Sequence, residues 1–199
     1  HKLFYNSQYG FREGHSTELA ALELMESVIE ELDNDNLPLS IFLDLSKAFD
    51  TLDHNILLKK MNYYGVTGKS ADLIESYLSN RKQFVDYDGV QSSLLPISTG
   101  VPQGSILGPL LFIIYINDLC NATNLFKILM YADDTTLTTT LNYANGSNVN
   151  DINNALNEID SWLKLNKLSL NVNKSQYMVF HMSQKKFPRP KLLINGSEL

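Results

Sequence analysis

The run KILMYADDTTLTTT, Lys127–Thr140, decides the reading of this chain. Lys127–Ala132 and Thr135–Thr140 are β-prone, and only Asp133 and Asp134 stand between them. That pattern predicts two antiparallel strands joined by a tight turn. Aspartate is a preferred turn residue, so on its own the acidic pair reads as an ordinary polar hairpin tip. Adjacent carboxylates also repel, which raises a pKa or demands a metal. Upstream, LSIFLDL (Leu39–Leu45) reads as a short buried strand with a single carboxylate, Asp44, near its end. A carboxylate among apolar neighbours is expensive unless something cationic compensates it, although Asp44 alone reads as a strand-end cap. With the two strands side by side, three carboxylates converge on one point, and hard divalent cations with oxygen ligands suit them. Mg²⁺ usually takes one or two protein carboxylates and fills its other positions with water and substrate phosphates, which points to phosphoryl-type chemistry.

Outward from these runs, the chain alternates helices and extended segments. Ser16 or Thr17 caps a helix on which Leu22, Met25, Ile29 and Leu32 recur at helical spacing. Asp53 caps a second helix with Ile56, Leu57, Met61 and Tyr64 on one face, closed by Gly65. Ser70 caps a third, with Leu73, Ile74, Tyr77 and Leu78 inward. Arg81–Tyr87 and Val90–Ile97 form a hairpin around Asp88-Gly89. Gly100, Pro102 and Gly104 make a stiff loop that opens into an apolar helix over about Ser105–Leu119. Ile152, Leu156, Ile159 and Leu163 mark a last helix; Gln176–His181 and Lys191–Ile194 return to extended structure, with an Asn195-Gly196 turn. The fold class is α+β, mostly antiparallel strands with helices packed on one face.

Composition excludes several classes. The 199 residues suffice for a substantial core, and 44% hydrophobic with 19% charged side chains argues against disorder and low-complexity scaffolds. The longest apolar stretch, Ile106–Ile116, is short for a membrane span and contains Gly108 and Pro109. A lone cysteine, Cys120, rules out a disulfide framework or a cysteine-clustered zinc site. The first ten residues carry no secretory signal pattern, so a soluble protein of a reducing compartment is the default expectation. Residues 1–159 hold nine basic and 20 acidic side chains, and residues 160–199 hold seven basic and two acidic. An acidic body with a basic end suits a cation site and a polyanion contact near that end, for which Lys164, Lys167, Lys185, Lys186, Arg189 and Lys191 are candidates.

Taken together, the strings resemble the reverse transcriptase of non-LTR (LINE-like) retrotransposons. FLDLSKAFDTLDH (Phe42–His54) is similar to that family's motif A, STGVPQGSILGPLLFIIYINDL (Ser98–Leu119) to motif B, and YADD (Tyr131–Asp134) to motif C. LSLNVNKSQYMVF (Leu168–Phe180) resembles motif D, and QYGFREGHST (Gln8–Thr17) the segment before motif A. The resemblance spans essentially residues 1–199 and implies a right-hand polymerase palm with part of the fingers, the upstream fingertips and the thumb being absent. It implies an RNA-directed DNA polymerase, a nucleotidyltransferase, with two Mg²⁺ ions, or Mn²⁺ in their stead, on Asp44, Asp133, Asp134 and the Leu45 carbonyl. Such ions sit about 3.5–4 Å apart and clamp an in-line displacement.

The same resemblance assigns the remaining roles. Phe49 is a steric gate beneath the incoming sugar; Gln103, Gly104 and Arg12 contact the nucleotide or template. Gly100 and Pro102 pack against primer and template, where glycines permit close backbone approach. Tyr131 braces the primer end, and Lys174 protonates departing pyrophosphate. Each has a plainer reading: a core aromatic, a Gly/Pro loop, a surface arginine, a buried tyrosine, a solvated lysine. His15 and His54 read as structural. The implied partners are an RNA template, a DNA primer, deoxynucleoside triphosphates and the rest of a retrotransposon polyprotein, with no membrane, in the nucleus or cytoplasm. The expectation is a fragment that polymerises poorly by itself. The alternative is a non-catalytic palm retained as an RNA- or protein-binding module, which loss of a metal carboxylate would mark; all three are present. A phosphate-accepting receiver domain needs a parallel sheet, against the hairpins predicted here.

Overall fold

The computed structural model describes residues 3–143, 148–182 and 187–199. Helices α1 (Thr17–Asp33), α2 (Ala48–Thr51), α3 (His54–Tyr63) and α4 (Lys69–Leu78) are interrupted by strand β1 (Leu37–Leu43). Four two-residue strands follow: β2 (Lys82–Gln83), β3 (Asp86–Tyr87), β4 (Val90–Gln91) and β5 (Leu95–Pro96). Then come α5 (Leu107–Ile116), a 3₁₀ turn (Asn117–Asn121), β6 (Lys127–Tyr131), β7 (Asp134–Leu141), α6 (Val149–Leu165), β8 (Gln176–Val179), β9 (Leu193–Ile194) and β10 (Ser197–Glu198). No helix among the described residues is long and apolar enough to cross a membrane.

The central sheet has the order β6-β7-β1-β8 and is antiparallel throughout. Register explains how its faces are covered. Leu39, Ile41 and Leu43 of β1, Leu137 and Leu141 of β7, and Ile128 and Met130 of β6 share one face, since paired residues point the same way. All of them join one core cluster with Leu111–Ile116 of α5 and Ile152, Leu156, Ile159 and Leu163 of α6. The other face carries Ser40, Leu129, Thr136 and Thr138, and α1 lies over it: Lys127 pairs with Glu23 at 2.6 Å, and Thr140 donates to Glu31 at 2.9 Å. Helices therefore cover both faces rather than one, with α5 and α6 on the apolar face and α1 on the other.

Two helical stripes differ from expectation. On α1, Leu22, Met25 and Ile29 are about half exposed, while Ala20 and Val28 are buried. The 3.6-residue period identifies a helix but not which stripe meets the sheet, and a small residue allows the closer approach. Helix α4 begins two residues earlier than predicted: Gly68 is its cap, without a side-chain bond, so Ser70 is not, and Leu73 points outward at 67% exposure. The Ser16 and Asp53 caps form as expected, accepting from Leu19 and Ile56 amides. Asp88 and Gly89, and Asn195 and Gly196, each take positive φ, as two-residue hairpin turns of the mirror-image type require.

Candidate active site

Strand β7 runs beside both β1 and β6, which brings the predicted carboxylates to one end of the sheet. The β1–β7 ladder ends at Leu43 opposite Thr135, and the β6–β7 ladder ends at Tyr131 opposite Asp134. Asp44 follows Leu43 directly, so continuing the register by one residue sets it across from Asp134. Only Ala132 and Asp133 form the hairpin tip, with Ala132 at φ 57°. A two-residue turn with positive φ only at its first position ordinarily takes glycine there, so the alanine holds a strained conformation. Asp133 is half-buried and Asp134 exposed. Burial holds the Asp133 carboxyl above the ordinary aspartate range, and the charges of Asp134 and Asp44 push the same way.

The backbone around Asp44 is tied down from the far side. Its amide donates to Ser175 Oγ (3.2 Å), and its carbonyl accepts from the Asn171 amide (2.8 Å). Leu45 forms a bridge with Leu170, and the Ser46 amide bonds the Ser169 carbonyl at 2.7 Å. The turn that holds Lys174 is thereby anchored to Asp44, with the lysine side chain itself exposed. Ser175, 4% exposed, and Asn171 were not singled out by sequence reasoning; their position inside the motif D string was the available signal.

The donors at this end are hard carboxylate oxygens, and the mutual repulsion at Asp133 is what a divalent cation would relieve. Among the described residues no three His, Cys, Asp or Glu side chains are already drawn into a metal-binding cluster. Asp44, Asp133 and Asp134 share an end of the sheet rather than a closed cage, as suits ions that take much of their coordination from water and phosphate.

The motif B loop packs on α2. Phe49 stacks on buried Phe112 (centroids 4.4 Å apart, 23°) and meets exposed Phe11 edge-on at 6.4 Å. Gly100 and Gly104 both have φ 81° but different surroundings. An added Cβ at Gly100 would lie 2.7 Å from the Asp50 carbonyl oxygen; at Gly104 it would meet nothing within 4 Å. The close approach expected of Gly100 toward primer and template is thus toward the backbone of Asp50, and Gly100 is buried. Its amide bonds Leu52 O at 2.7 Å and its carbonyl lies 2.7 Å from His54 Nε2, so His54 is structural, as read. Pro102 is half-buried, and its carbonyl accepts from Ser105 Oγ (2.7 Å). Gln103 is exposed and donates Nε2–H to Asp50 Oδ1 at 2.8 Å. Asp50, absent from the predicted site, orients that amide. Beside it opens a cleft of about 540 Å³ lined by Lys47, Asp50, Arg81 and Thr99–Gln103.

The basic side chains Arg12, Lys164 and Lys167 have partners within the chain. Arg12 Nη1 donates to the carbonyls of Tyr5 and Gln8, both at 2.8 Å, and its guanidinium lies over Phe4 at 5.6 Å. It staples its own segment. In the basic end, Lys167 pairs with Asp53 (2.7 Å), and Lys164 with Asp160 (2.6 Å) and Asn195 (2.9 Å). Local carboxylates compensate these charges, which weakens the polyanion reading; Lys185 and Lys186 lie outside the described residues. Tyr131 is half-buried at the end of β6, and His15 packs edge-on against Tyr9.

Known proteins are similar to this chain over most of its length. The family described as reverse transcriptase (RNA-dependent DNA polymerase) matches residues 1–190. The RNA-directed DNA polymerase from mobile element jockey of Drosophila melanogaster is 34% identical over 139 residues, 66% of this chain and 15% of that protein. The probable RNA-directed DNA polymerase from transposon BS of the same fly is 32% identical over 187 residues, 87% of this chain and 20% of that protein. The chain therefore spans about a fifth or less of these curated relatives. Among solved structures, telomerase from Candida tropicalis in complex with a fragment of telomeric RNA superposes with a TM-score of 0.64 at 16% identity, covering 87% of this chain and 30% of that one. Telomerase from Candida albicans gives 0.63 at 15% identity, covering 92% of this chain and 32% of that one. This likeness is one of fold, that of a right-hand polymerase. The chain belongs to the reverse transcriptase family, on the side occupied by non-LTR retrotransposon polymerases.

Proposed function

We propose that this chain is the palm and part of the fingers of an RNA-directed DNA polymerase, adding deoxynucleotides to a primer 3′-hydroxyl on an RNA template by two-metal phosphoryl transfer. The observation that carries the proposal is the meeting of Asp44, at the end of β1, with the Asp133-Asp134 turn, where acidic neighbours and burial hold the Asp133 carboxyl up. Asp44, Asp133 and the Leu45 carbonyl would hold the divalent ions, with Asp134 assisting. When bound, such ions acidify the primer hydroxyl and neutralise the triphosphate.

The protein's own work is positioning and exclusion. Phe49, backed by Phe112, presents a ring under the sugar and leaves little room for a 2′-hydroxyl. Gln103, its amide held by Asp50, and Gly104, open to solvent, offer the nucleotide a polar contact and an unobstructed backbone. Tyr131 braces the primer end, and Lys174, exposed on a turn fastened to Asp44, is available to donate a proton to pyrophosphate. The template and the remaining segments of a retrotransposon polyprotein are the partners this reading implies.

The deciding experiment is primer extension by the purified protein with Mg²⁺ on RNA and DNA templates, comparing Asp133→Asn. The expected result is weak RNA-templated synthesis that the variant abolishes, while its thermal midpoint stays level or rises because a like charge is removed. Extension that survives Asp133→Asn would overturn the proposal.

A further inference from the structure

Asp133 sits on a two-residue turn closed by the Tyr131–Asp134 pair of the hairpin. Ala132 occupies a positive-φ position without glycine's freedom, and a two-residue tip has few bonds of its own. What braces it comes from far away in sequence. Ser7–Tyr9 adds a parallel segment to the outer edge of β6: the Met130 amide bonds Ser7 O and the Tyr9 amide bonds Met130 O, both at 2.8 Å. From that segment Gln8 turns its side chain onto the tip. Gln8 Oε1 accepts from the Gly10 amide at 2.8 Å and the Ala132 amide at 3.1 Å. Gly10 lies so close that a Cβ there would come 2.3 Å from Ala132 N.

Gln8 is 0% exposed, and its Nε2 has no hydrogen-bond partner among the described residues. Two N–H donors converge on the other atom, so that atom must be the oxygen. A buried amide keeping one half unpaired is costly, and it persists where the other half is needed. Arg12 holds this segment by its guanidinium bonds to the Gln8 and Tyr5 carbonyls, which gives that arginine a structural task one step further from the site.

We propose that Gln8 is a positioning residue: its side-chain carbonyl, with the close approach of Gly10, locks the Ala132-Asp133 turn in the geometry that presents Asp133 to the divalent ions. The proposal rests on the polymerase reading for its consequence in turnover, but the clamp has its own readout. Gln8→Met keeps the bulk and removes the acceptor. Gln8→Glu keeps an acceptor for both amides.

The test measures amide hydrogen exchange by NMR in the metal-free protein, Mn²⁺ affinity by electron paramagnetic resonance, and steady-state extension kinetics. In Gln8→Met the Ala132 amide is expected to exchange at least tenfold faster, with β1 and β7 amides unchanged. Mn²⁺ affinity falls about tenfold, and kcat falls tenfold or more with the KM for deoxynucleotide within twofold. Gln8→Glu restores Ala132 protection, and it decides the matter if Gln8→Met does not fold. Unchanged Ala132 exchange in Gln8→Met, acceleration spread evenly over the sheet, or a Gln8→Glu protein without Ala132 protection would each overturn the proposal. Asp133→Asn separates the two readings: it should abolish Mn²⁺ binding and turnover with Ala132 still protected. Metal binding that survives Asp133→Asn sinks the polymerase site while the exchange data still judge the clamp.

Discussion

Gly100→Ala and Gly104→Ala form a matched pair, because both glycines flank the same loop at φ 81° and differ only in what surrounds them. Alanine in the left-handed region costs about 1–2 kcal/mol at either position. Gly104 has open space around it, so its substitution stops at that cost. At Gly100 the new methyl would also press on Asp50, 2.7 Å from its carbonyl oxygen and 2.9 Å from its Cα, which are backbone atoms that cannot rotate away. Overpacking of this kind adds about 1–3 kcal/mol, for a total of about 2–5 kcal/mol. In a domain of this size each kcal/mol moves the thermal midpoint by about 2–4 °C, so Gly104→Ala should melt about 2–8 °C low and Gly100→Ala about 4–20 °C low. Calorimetry or circular dichroism in one buffer at pH 7 reads both. Because Asp50 also holds the Gln103 amide, Gly100→Ala should raise the KM for deoxynucleotide where the folded fraction is unchanged. A Gly100→Ala protein as stable as Gly104→Ala would refute the reasoning that the loop is wedged against α2.

Three further outcomes follow from other contacts. Lys60 Nζ meets Asp118 at 2.6 Å and Tyr115 O at 2.7 Å, and lies 5.0 and 4.6 Å from the Tyr115 and Trp162 ring centroids. Lys60→Ala should cost about 2–4 kcal/mol in urea unfolding, and a loss below about 0.5 kcal/mol would mean this linkage between α3 and α5 is idle. Asp53 has its carboxyl held below the ordinary range by the Lys167 hydrogen bond, and the Ile56 amide adds to this against the opposing effect of burial. A lowered aspartate contributes stability that is complete above about pH 4 and is lost as the pH falls through its folded pKa, so the melting point should drop below pH 4 and drop less steeply in Asp53→Asn. Phe49→Val should narrow the ratio of kcat/KM for deoxy- over ribonucleotides in extension assays; an unchanged ratio removes Phe49 from the gate.

Much of this molecule is legible in one dimension. The strands around Asp133-Asp134, the hairpin at Asp88-Gly89, the Ser16 and Asp53 caps and the stripe of α6 all depend on neighbours within a few residues, and all form as read. The misreadings share a cause. The α1 stripe of Leu22, Met25 and Ile29 has the right period and the wrong azimuth, since which side of a helix meets the sheet is set by the sheet. Arg12 and Lys167 looked available because their acceptors, Tyr5 and Gln8 carbonyls and the Asp53 carboxylate, are brought to them by chain geometry. The close approach of Gly100 to Asp50 joins segments fifty residues apart and so has no local signal.

From the order of its residues alone, this chain specifies an antiparallel α+β domain, the carboxylates that flank its central hairpin and the family to which it belongs, because turn chemistry, alternation and motif spacing are local properties. Only the folded chain decided that β7 lies between β1 and β6, that Asp50 holds Gln103, and that Gln8 braces the turn beneath Asp133 from over a hundred residues away. Those are contacts between segments distant in sequence, selected by packing one buried face of a sheet against helices, and no short window of sequence contains both partners.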